Sequence, residues 1–294
     1  MKENVRRSTA LLASLLVVII WSETFVSSKV LLDRGLAPAD IFFIRFLLAY
    51  LCTWPLSRKH LWAKSLWDEF RLLLLGAAGG SVYFLTENTA LKCSTASNVA
   101  LILSSVPLTT ALLMSLFYKD ERPNRKQMFG SLIAFVGMIL VVLNGHLVLH
   151  LDPAGNLYAL GAVLTWGVYS IILKGISDKY DAVFISRKVF FYGVVTILPY
   201  FWLVTPLNTD LQLISQPVVW INLVYLGVVA SMLCFVLWNR SLAILGTVRT
   251  TNLLYIQPFF SMLISHFVLG DRITWMAVAG IIILTYGMIR ASKK

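Results

Sequence analysis

The chain has 294 residues, of which 58% are hydrophobic and only 13% are charged. A soluble globular domain is roughly a quarter charged, so this composition excludes a soluble fold, and the long apolar runs predict a polytopic membrane protein. The formal net charge of +11 does not indicate nucleic acid binding, because the basic residues lie in short segments between the apolar runs.

Ten apolar stretches are long enough to cross a bilayer, which takes about 20 residues. In chain order they lie near residues 9–31, 38–56, 70–91, 94–117, 126–144, 155–174, 184–204, 217–241, 248–269 and 273–290. The first follows basic residues, as a signal peptide would, but it continues to about Leu32 without a clear cleavage site. The sequence therefore predicts an all-α integral membrane protein with ten transmembrane helices, the first of them retained.

The stretch from Gly76 to Gly137 occurs a second time later in the chain. Five of its residues return 151 positions on, since 227 − 76 and 258 − 107 are both 151: Gly76, Phe84, Asn88, Leu91 and Pro107 return as Gly227, Phe235, Asn239, Leu242 and Pro258. Others return at a spacing of 150: Glu121-Arg122, Gly130 and Gly137 as Asp271-Arg272, Gly280 and Gly287. A duplicated unit is therefore predicted, with five-helix repeats over 1–145 and 155–294 and a linker over 146–154.

Lysine and arginine are distributed unevenly between the two ends of the predicted helices. Of the 25, 20 lie on the side of the N-terminus, and the other five are Lys29, Arg34, Arg45, Lys92 and Arg272. The positive-inside rule then places both termini in the cytoplasm of a multi-pass protein of the cell inner membrane. Because each repeat has an odd number of helices, the second is inverted relative to the first, an arrangement typical of secondary transporters.

Catalytic motifs that would indicate an enzyme are absent from the sequence. It lacks the His-Glu-x-x-His, Gly-x-Ser-x-Gly, P-loop and dinucleotide-binding patterns. His146 and His150 are expected in an outer loop without a third metal ligand, and His266 lies on an apolar helix. The three cysteines fall within or beside apolar runs, which favours small buried side chains over disulfides. We therefore expect no enzyme activity, no metal and no cofactor.

Two carboxylates inside predicted spans, Glu23 and Glu87, are candidates for substrate contact. Exposing a carboxylate to lipid costs several kcal/mol, so each is expected to face a cavity or a partner. Tyr83 lies four residues before Glu87, on the same helical face. Either glutamate would accept a proton or bind a substrate ammonium, and the alternative is an internal ion pair or hydrogen bond without a transport role.

Further candidates for substrate binding are aromatic or polar residues that lie deep in the spans or match between the repeats. They are Trp21, Trp166, Tyr169, Trp238, Tyr255 and Gln257. We predict that they form the walls of a pocket, and core packing is the alternative for each aromatic residue. Asn88 and Asn239 are expected to cross-link helices.

Six residues are candidates for gating: Lys29, Arg45, Lys174, Arg187, Pro107 and Pro258. The four cations match in pairs between the repeats and lie near helix ends. They are either gate charges at the two mouths or side chains that anchor the helix ends at the interface. Each proline lies inside a predicted helix, where it removes a hydrogen bond and permits either a hinge or a static bend.

Together these motifs resemble the EamA-type family of the drug/metabolite transporter superfamily over nearly the whole chain. In the first repeat the resemblance is carried by Trp21, Lys29, Arg45-Phe46, Ala90-Leu91, Ala96-Ser97-Asn98, Ala100, Pro107, Glu121-Arg122, Gly130 and Gly137. In the second it is carried by Trp166, Lys174, Ser241-Leu242, Pro258, Asp271-Arg272, Gly280 and Gly287. Glu23 and Glu87 do not belong to this pattern.

The resemblance implies an exporter of small metabolites, often amino acids or related amphiphiles. It also implies a central cavity lined by the first, third, fourth, sixth, eighth and ninth helices. We therefore predict a secondary transporter that exports small metabolites by alternating access, as a monomer or homodimer in the lipid bilayer, with protons as a candidate coupling partner. The alternatives are an importer or exchanger of small metabolites such as nucleotide sugars, and a non-transporting membrane scaffold.

Overall fold

A computed structural model describes residues 2–57, 61–94, 96–143, 153–208, 210–260, 263 and 274–292, and this part of the chain is entirely helical. Its first half contains α1 (Lys2–Asp33), α2 (Pro38–Thr53), α3 (Leu66–Gly76), α4 (Val82–Cys93), α5 (Ala96–Leu103), α6 (Val106–Phe117) and α7 (Arg125–Leu143). Its second half contains α8 (Pro153–Lys174), α9 (Ala182–Leu203), α10 (Leu211–Ile214), α11 (Pro217–Val224), α12 (Cys234–Leu245), α13 (Thr247–Thr251) and α14 (Trp275–Ser292). Most of the predicted linker, the histidines at 146, 150 and 266 and the Asp271-Arg272 pair lie outside the described residues.

Seven helices in the described part of the chain are long and apolar enough to cross a membrane. They are Val5–Asp33, Pro38–Ser57, Asn98–Phe117, Arg125–Leu143, Pro153–Lys174, Ala182–Leu203 and Pro217–Leu245. Trp275–Ala291 is a shorter apolar helix. The third predicted span corresponds to a helical run from α3 into α4, and only part of the ninth is described. The chain is thus an all-helical, multi-pass membrane protein.

Interruptions of regular helix fall at matching places in the two halves. A π-helical segment, Ala77–Ser81, separates α3 from α4, and another, Tyr225–Leu233, separates α11 from α12. The α5–α6 junction lies just before Pro107, and a 3-10 segment, Asn252–Ile256, lies just before Pro258. Proline removes a helical donor, and π segments are frequent at functional sites. Residues that follow or adjoin these interruptions line the cavity described below.

Helices α7 and α14 pack closely because glycines meet where they cross. A Cβ atom on Gly137 would lie 2.7 Å from the carbonyl oxygen of Gly280, and a Cβ atom on Gly280 would lie 2.7 Å from that of Gly137. One on Gly287 would lie 2.8 Å from the carbonyl oxygen of Gly130. Small residues let the two backbones approach. Since the contacts run in opposite directions along the chain, the two helices are antiparallel.

Phe46 is the centre of the aromatic core between the two halves. Its buried ring lies 4.4 Å from that of Phe42, 5.4 Å from Phe84, 5.2 Å from Phe190 and 5.9 Å from Phe235, measured between ring centroids. Edge-to-face pairs at such separations contribute beyond the burial of their area. Phe84 and Phe235 also line the cavity, so this cluster supports one of its walls.

Candidate functional site

A central cavity lies among the helices of both halves. It contains about 700 Å³ of space between atoms, a figure that includes open solvent at its mouth. Its lining comes from α1, α2, α4, α5, α6, α8, α12 and the segment around Pro258. The lining residues are Trp21, Thr24, Phe25, Arg45, Tyr83, Phe84, Glu87, Ala100, Leu103, Ser104, Val106, Trp166, Phe235, Leu254, Gln257 and Pro258.

Among the described residues, the cavity lining contains one cation and one carboxylate, Arg45 and Glu87. Arg45 is 2% exposed, its Nε donates to Ser231 Oγ at 2.9 Å, and its guanidinium carbon lies 4.2 Å from the ring centroid of Phe84. Glu87 is 6% exposed. The ion pairs of the described residues do not include one between Arg45 and Glu87. The two charges therefore share the cavity without a direct ion pair, although each lies within electrostatic range of the other.

Two tryptophans form much of the aromatic wall. Trp21 donates its indole N–H to the carbonyl oxygen of Ala230 at 2.9 Å, which fixes its ring. The Trp166 ring lies 5.6 Å from that of Trp21 and 5.1 Å from that of Tyr83. The indole nitrogen of Trp166 is buried and has no hydrogen-bond partner within the described chain. A buried donor without a partner is costly, so this N–H is available to a ligand.

The segment before Pro258 is tied to α1. Gln257 donates from Nε2 to the carbonyl oxygen of Trp21 at 3.1 Å, and Ser22 donates from Oγ to the backbone oxygen of Gln257 at 3.1 Å. Gln257 and Pro258 both line the cavity. Because these bonds join a helix of the first half to a kink of the second, movement of α1 would reshape the cavity.

Three predicted pocket residues are buried but do not line the cavity. Tyr169 donates its hydroxyl to Asn239 Oδ1 at 2.6 Å, and Asn239 in turn donates to Ser186 Oγ at 3.0 Å. Trp238 is fully buried, with its ring 5.0 Å from that of Trp21. Tyr255 packs in a cluster with residues of α7 and α14. These three side chains support the cavity walls from behind or lie away from them.

Glu23 also lies outside the cavity lining, on a different face of α1. It is half-buried, with one carboxylate oxygen fully buried, and that oxygen has no hydrogen-bond partner among the described residues.

Asn88 donates to the carbonyl oxygen of Pro38 at 3.2 Å. Together with Asn239, it therefore cross-links helices, as expected from the sequence.

The residues predicted as gates lie in different surroundings. Lys29 donates to the carbonyl oxygen of Leu91 at 3.3 Å, and Lys174 lies 3.3 Å from an Asp120 oxygen. The guanidinium of Arg187 donates to the carbonyl oxygens of Ser57 and Leu61. Arg45, by contrast, lines the central cavity, as does Pro258, while Pro107 is buried in α6 outside the lining.

A partly buried group of charged and tyrosine side chains joins the first turn of α3 to α9 and to the loop before α9, and we call it the α3–α9 ionic cluster. Lys179 and Tyr180 donate to the two oxygens of Asp68, each at 3.0 Å. Glu69 accepts from Lys188 and Tyr192. The Lys179 hydrogen bond holds the pKa of Asp68 below its usual value. Burial raises the pKa of Glu69, but bonds from Lys188 and Tyr192 outweigh this and leave the pKa lowered.

Sequence reasoning missed the place of Arg45 and the α3–α9 ionic cluster. The second helix was not expected to line the cavity, yet a single arginine in an otherwise apolar span was a signal for a buried polar role. Asp68 and Glu69 lie just before the third predicted span, and no role was predicted for them. The two acidic residues are adjacent in the sequence, but their partners on α9 and in the loop before it are more than 100 residues away.

The chain is similar to known proteins over nearly its whole length. The sequence pattern of the EamA-like transporter family matches residues 8–143 and again 153–292. An uncharacterized transporter of Archaeoglobus fulgidus is 24% identical over 288 residues, which cover 95% of this chain and 96% of that protein. A crystal structure of a protein that is 18% identical shares the fold, with a TM-score of 0.74 over 97% of each chain.

Two further relatives have more specific names. A probable amino-acid metabolite efflux pump of Salmonella typhimurium is 26% identical over 288 residues, covering 94% of this chain and 92% of the pump. A probable terminal-alkyne amino-acid exporter of Streptantibioticus cattleyicolor is 25% identical over 277 residues, covering 93% of this chain and 90% of the exporter. The similarity therefore extends over whole proteins and is not confined to one segment.

Proposed function

Because this chain belongs to the EamA-like transporter family, we propose that it exports small amphiphilic metabolites that carry both an ammonium and a carboxylate, such as amino acids. Membership in this family supports a membrane transporter. One observation carries the proposed substrate class: Arg45 and Glu87 line the same cavity without pairing with each other.

Charge and desolvation connect that observation to the substrate. A buried charge without a counter-ion is costly. A zwitterion would give its carboxylate to Arg45 and its ammonium to Glu87, and so would satisfy both charges at once. Arg45 is already oriented by Ser231, which lowers the cost of positioning it.

The aromatic wall suits the remainder of such a ligand. Trp21, Trp166 and Phe235 offer flat apolar surface beside the two charges, and the tryptophan faces also attract a cation. The free indole N–H of Trp166 adds one donor. Two relatives whose names refer to amino-acid export support the same class of substrate.

Transport would proceed by alternating access of two inverted five-helix halves in the inner membrane, with ten spans and both termini in the cytoplasm. The matching π segments and prolines support this proposal, since they put deformable points at equivalent places. The antiparallel contact of α7 with α14 through glycines that match between the halves is also consistent with it.

A matched ligand panel tests the substrate class. The purified protein is heated with an apolar amino acid, with its N-acetyl derivative and with its carboxamide, each at equal concentration. At a hundred times its Kd a ligand adds about 2.7 kcal/mol of stability, so we expect a clear rise in Tm for the zwitterion and a much smaller one for each blocked form. Equal shifts for all three compounds would contradict the proposal.

Direction needs a separate experiment. Proteoliposomes loaded with the best ligand are diluted, and efflux is compared with counterflow and with uptake against a gradient. If the protein exports the ligand, proteoliposomes should show net ligand efflux, and liposomes without the protein should not. Strict one-for-one exchange without net efflux would indicate an exchanger, and ligand binding with no flux at all would contradict transport.

A further inference from the structure

Glu23 lies on the face of α1 that carries exposed apolar residues, and it does not line the cavity. Leu16 and Ile19 lie seven and four residues before Glu23, and Val26 lies three residues after it. These three side chains are 47%, 37% and 47% exposed, respectively. At 3.6 residues per turn these positions share one helical face. Trp21 and its neighbours line the cavity from another face of the same helix.

The surroundings of Glu23 offer it little compensation. One of its carboxylate oxygens is buried and unpartnered in the described chain. The titratable group that faces it is Tyr225, from the π segment between α11 and α12. The hydroxyl of Tyr225 donates to the carbonyl oxygen of Ile20 at 2.8 Å, so it is already occupied.

Several other ionisable groups on the elements packed against α1 are committed elsewhere, and Lys92 of α4 and Arg240 of α12 form no ion pair with Glu23. Arg45 of α2 bonds to Ser231, and Tyr83 and Glu87 of α4 face the cavity. Cys234 of α12 lies beside Arg45, and α11 has no ionisable side chain. On α1 itself, Lys29 pairs with Asp33 at 3.4 Å. Within the described residues, therefore, no cation neutralises Glu23.

We propose that Glu23 is a proton-binding site, separate from the substrate cavity, through which transport is coupled to protons. This inference rests on the proposed transport function. A half-buried carboxylate on an apolar helix face, with no cation beside it, is far less favourable than the neutral acid, so Glu23 holds a proton in this position. When water reaches α1 from one side of the membrane, Glu23 takes up a proton from that side. When water reaches α1 from the opposite side, Glu23 releases the same proton there.

The position of Glu23 on α1 supplies the coupling. The same helix carries Trp21 and Phe25 in the cavity wall, and it is tied to the Pro258 kink through Gln257. A movement of α1 that changes access to the cavity therefore also changes the surroundings of Glu23. Only the protonated, neutral side chain passes through this position at low cost.

Carbodiimide labelling of the purified full-length protein in liposomes tests the site without any substrate. These reagents add to protonated carboxyl groups, and dicyclohexylcarbodiimide partitions into the bilayer, whereas a charged carbodiimide stays in water. We expect dicyclohexylcarbodiimide to modify Glu23, as located by peptide mass spectrometry, faster at low pH and at least tenfold faster than the charged reagent. No modification of Glu23, or equal modification by both reagents, would overturn the proposal.

Transport by variants tests the coupling. The assay uses proteoliposomes and the ligand from the thermal screen. Glu23→Gln should retain counterflow, but its ligand accumulation driven by a pH gradient should fall at least tenfold. Glu23→Asp, which keeps the carboxyl group, should retain gradient-driven accumulation. Unchanged accumulation in Glu23→Gln, or loss of counterflow together with accumulation, would overturn proton coupling at Glu23. Because labelling needs no flux, its result stays separate from a failure of the transport proposal itself.

Discussion

Lys188 of α9 and Glu69 of α3 form an ion pair in which the side chains are only 4% and 15% exposed. Glu69 lies 18 positions before Glu87 on a nearly continuous helical run, which corresponds to about 27 Å at the rise of an α-helix. The pair thus binds the two halves together far from the cavity residues of α4. The matching positions in the other half, Trp220 and Phe46, are uncharged, so an equivalent pair is missing at the other end.

Removing one partner of this pair should destabilise the protein. Lys188→Met leaves Glu69 buried without its cation, and such a loss costs about 3–5 kcal/mol. We expect a lower Tm in detergent and faster reaction of an engineered cysteine near residue 65 with a water-soluble thiol reagent. The control is Asp33→Asn, which breaks the more exposed Lys29–Asp33 pair and should cost less than about 1 kcal/mol. Equal losses of stability in the two variants would show that the Lys188–Glu69 pair contributes no more to stability than the exposed pair does.

The same cluster should make stability depend on acid pH. The pKa values of Asp68 and Glu69 are lowered in the folded protein, relative to about 3.9 and 4.3 in an unfolded chain. The unfolded state therefore binds more protons in this range, so stability is complete above about pH 5 and falls as pH decreases through the folded pKa values. Tm should drop more steeply below pH 5 in the wild type than in Asp68→Asn/Glu69→Gln, and parallel curves would contradict this.

The two cavity charges should affect different parts of a ligand. Glu87→Gln keeps the shape of the side chain but removes the charge that faces an ammonium, so affinity for a zwitterion should fall by about ten- to a hundredfold, as for hydrogen bonds to charged groups. Affinity for the N-acetyl derivative should be unchanged. Titration calorimetry on both ligands measures this. An equal loss for both would mean that Glu87 acts on the fold of the cavity and not on the ammonium.

Arg45→Gln should give the opposite pattern. It removes the cation that faces a carboxylate, so the zwitterion should bind about ten- to a hundredfold more weakly, while the carboxamide of the same ligand should be little affected. Arg45→Lys keeps the charge but loses the Nε bond to Ser231, and it should fall between the wild type and Arg45→Gln. If Arg45→Lys bound the zwitterion as weakly as Arg45→Gln, orientation and not charge would be the dominant contribution.

Two buried tryptophans allow a controlled test of whether the indole N–H of Trp166 donates a hydrogen bond to the ligand. The nitrogens of Trp166 and Trp238 are both buried and unpartnered within the described chain, but only Trp166 lines the cavity. Trp166→Phe should weaken ligand binding by about 1 kcal/mol, the net value of one hydrogen bond. Trp238→Phe should leave the Kd unchanged. Similar losses in the two variants would point to general repacking of the aromatic wall.

The effect of a glycine-to-alanine substitution on stability should depend on the space around that glycine. Gly137→Ala puts a Cβ atom 2.7 Å from the carbonyl oxygen of Gly280 and should cost about 1–3 kcal/mol by overpacking α7 against α14. Gly161→Ala on α8 meets only Thr86 side-chain atoms, at 3.6 Å or more, and should stabilise its helix by about 0.5–1 kcal/mol. Thermal unfolding of both variants measures the difference. Stabilisation by both would mean that the α7–α14 contact is loose.

Part of the candidate site was predictable from residue type and spacing alone. Tyr83 and Glu87 share a helical face, and both line the cavity, together with Trp21, Trp166 and Gln257. Tyr169 and Trp238 were equally plausible by depth and residue type, yet they pack behind the wall. A sequence shows which residues share one helix face, but which neighbouring helix covers that face depends on contacts between residues far apart in the chain.

The sequence by itself determined the membrane class, the duplication and the resemblance to a transporter family, because composition, repeat spacing and motifs are properties of the chain alone. Only the tertiary structure decided that Arg45 enters the cavity with Glu87, that Glu23 lies outside the cavity lining and that Asp68 and Glu69 meet cations of α9 and of the loop before it. The cost of a buried charge depends on which groups surround it, and helix packing is what brings those groups together.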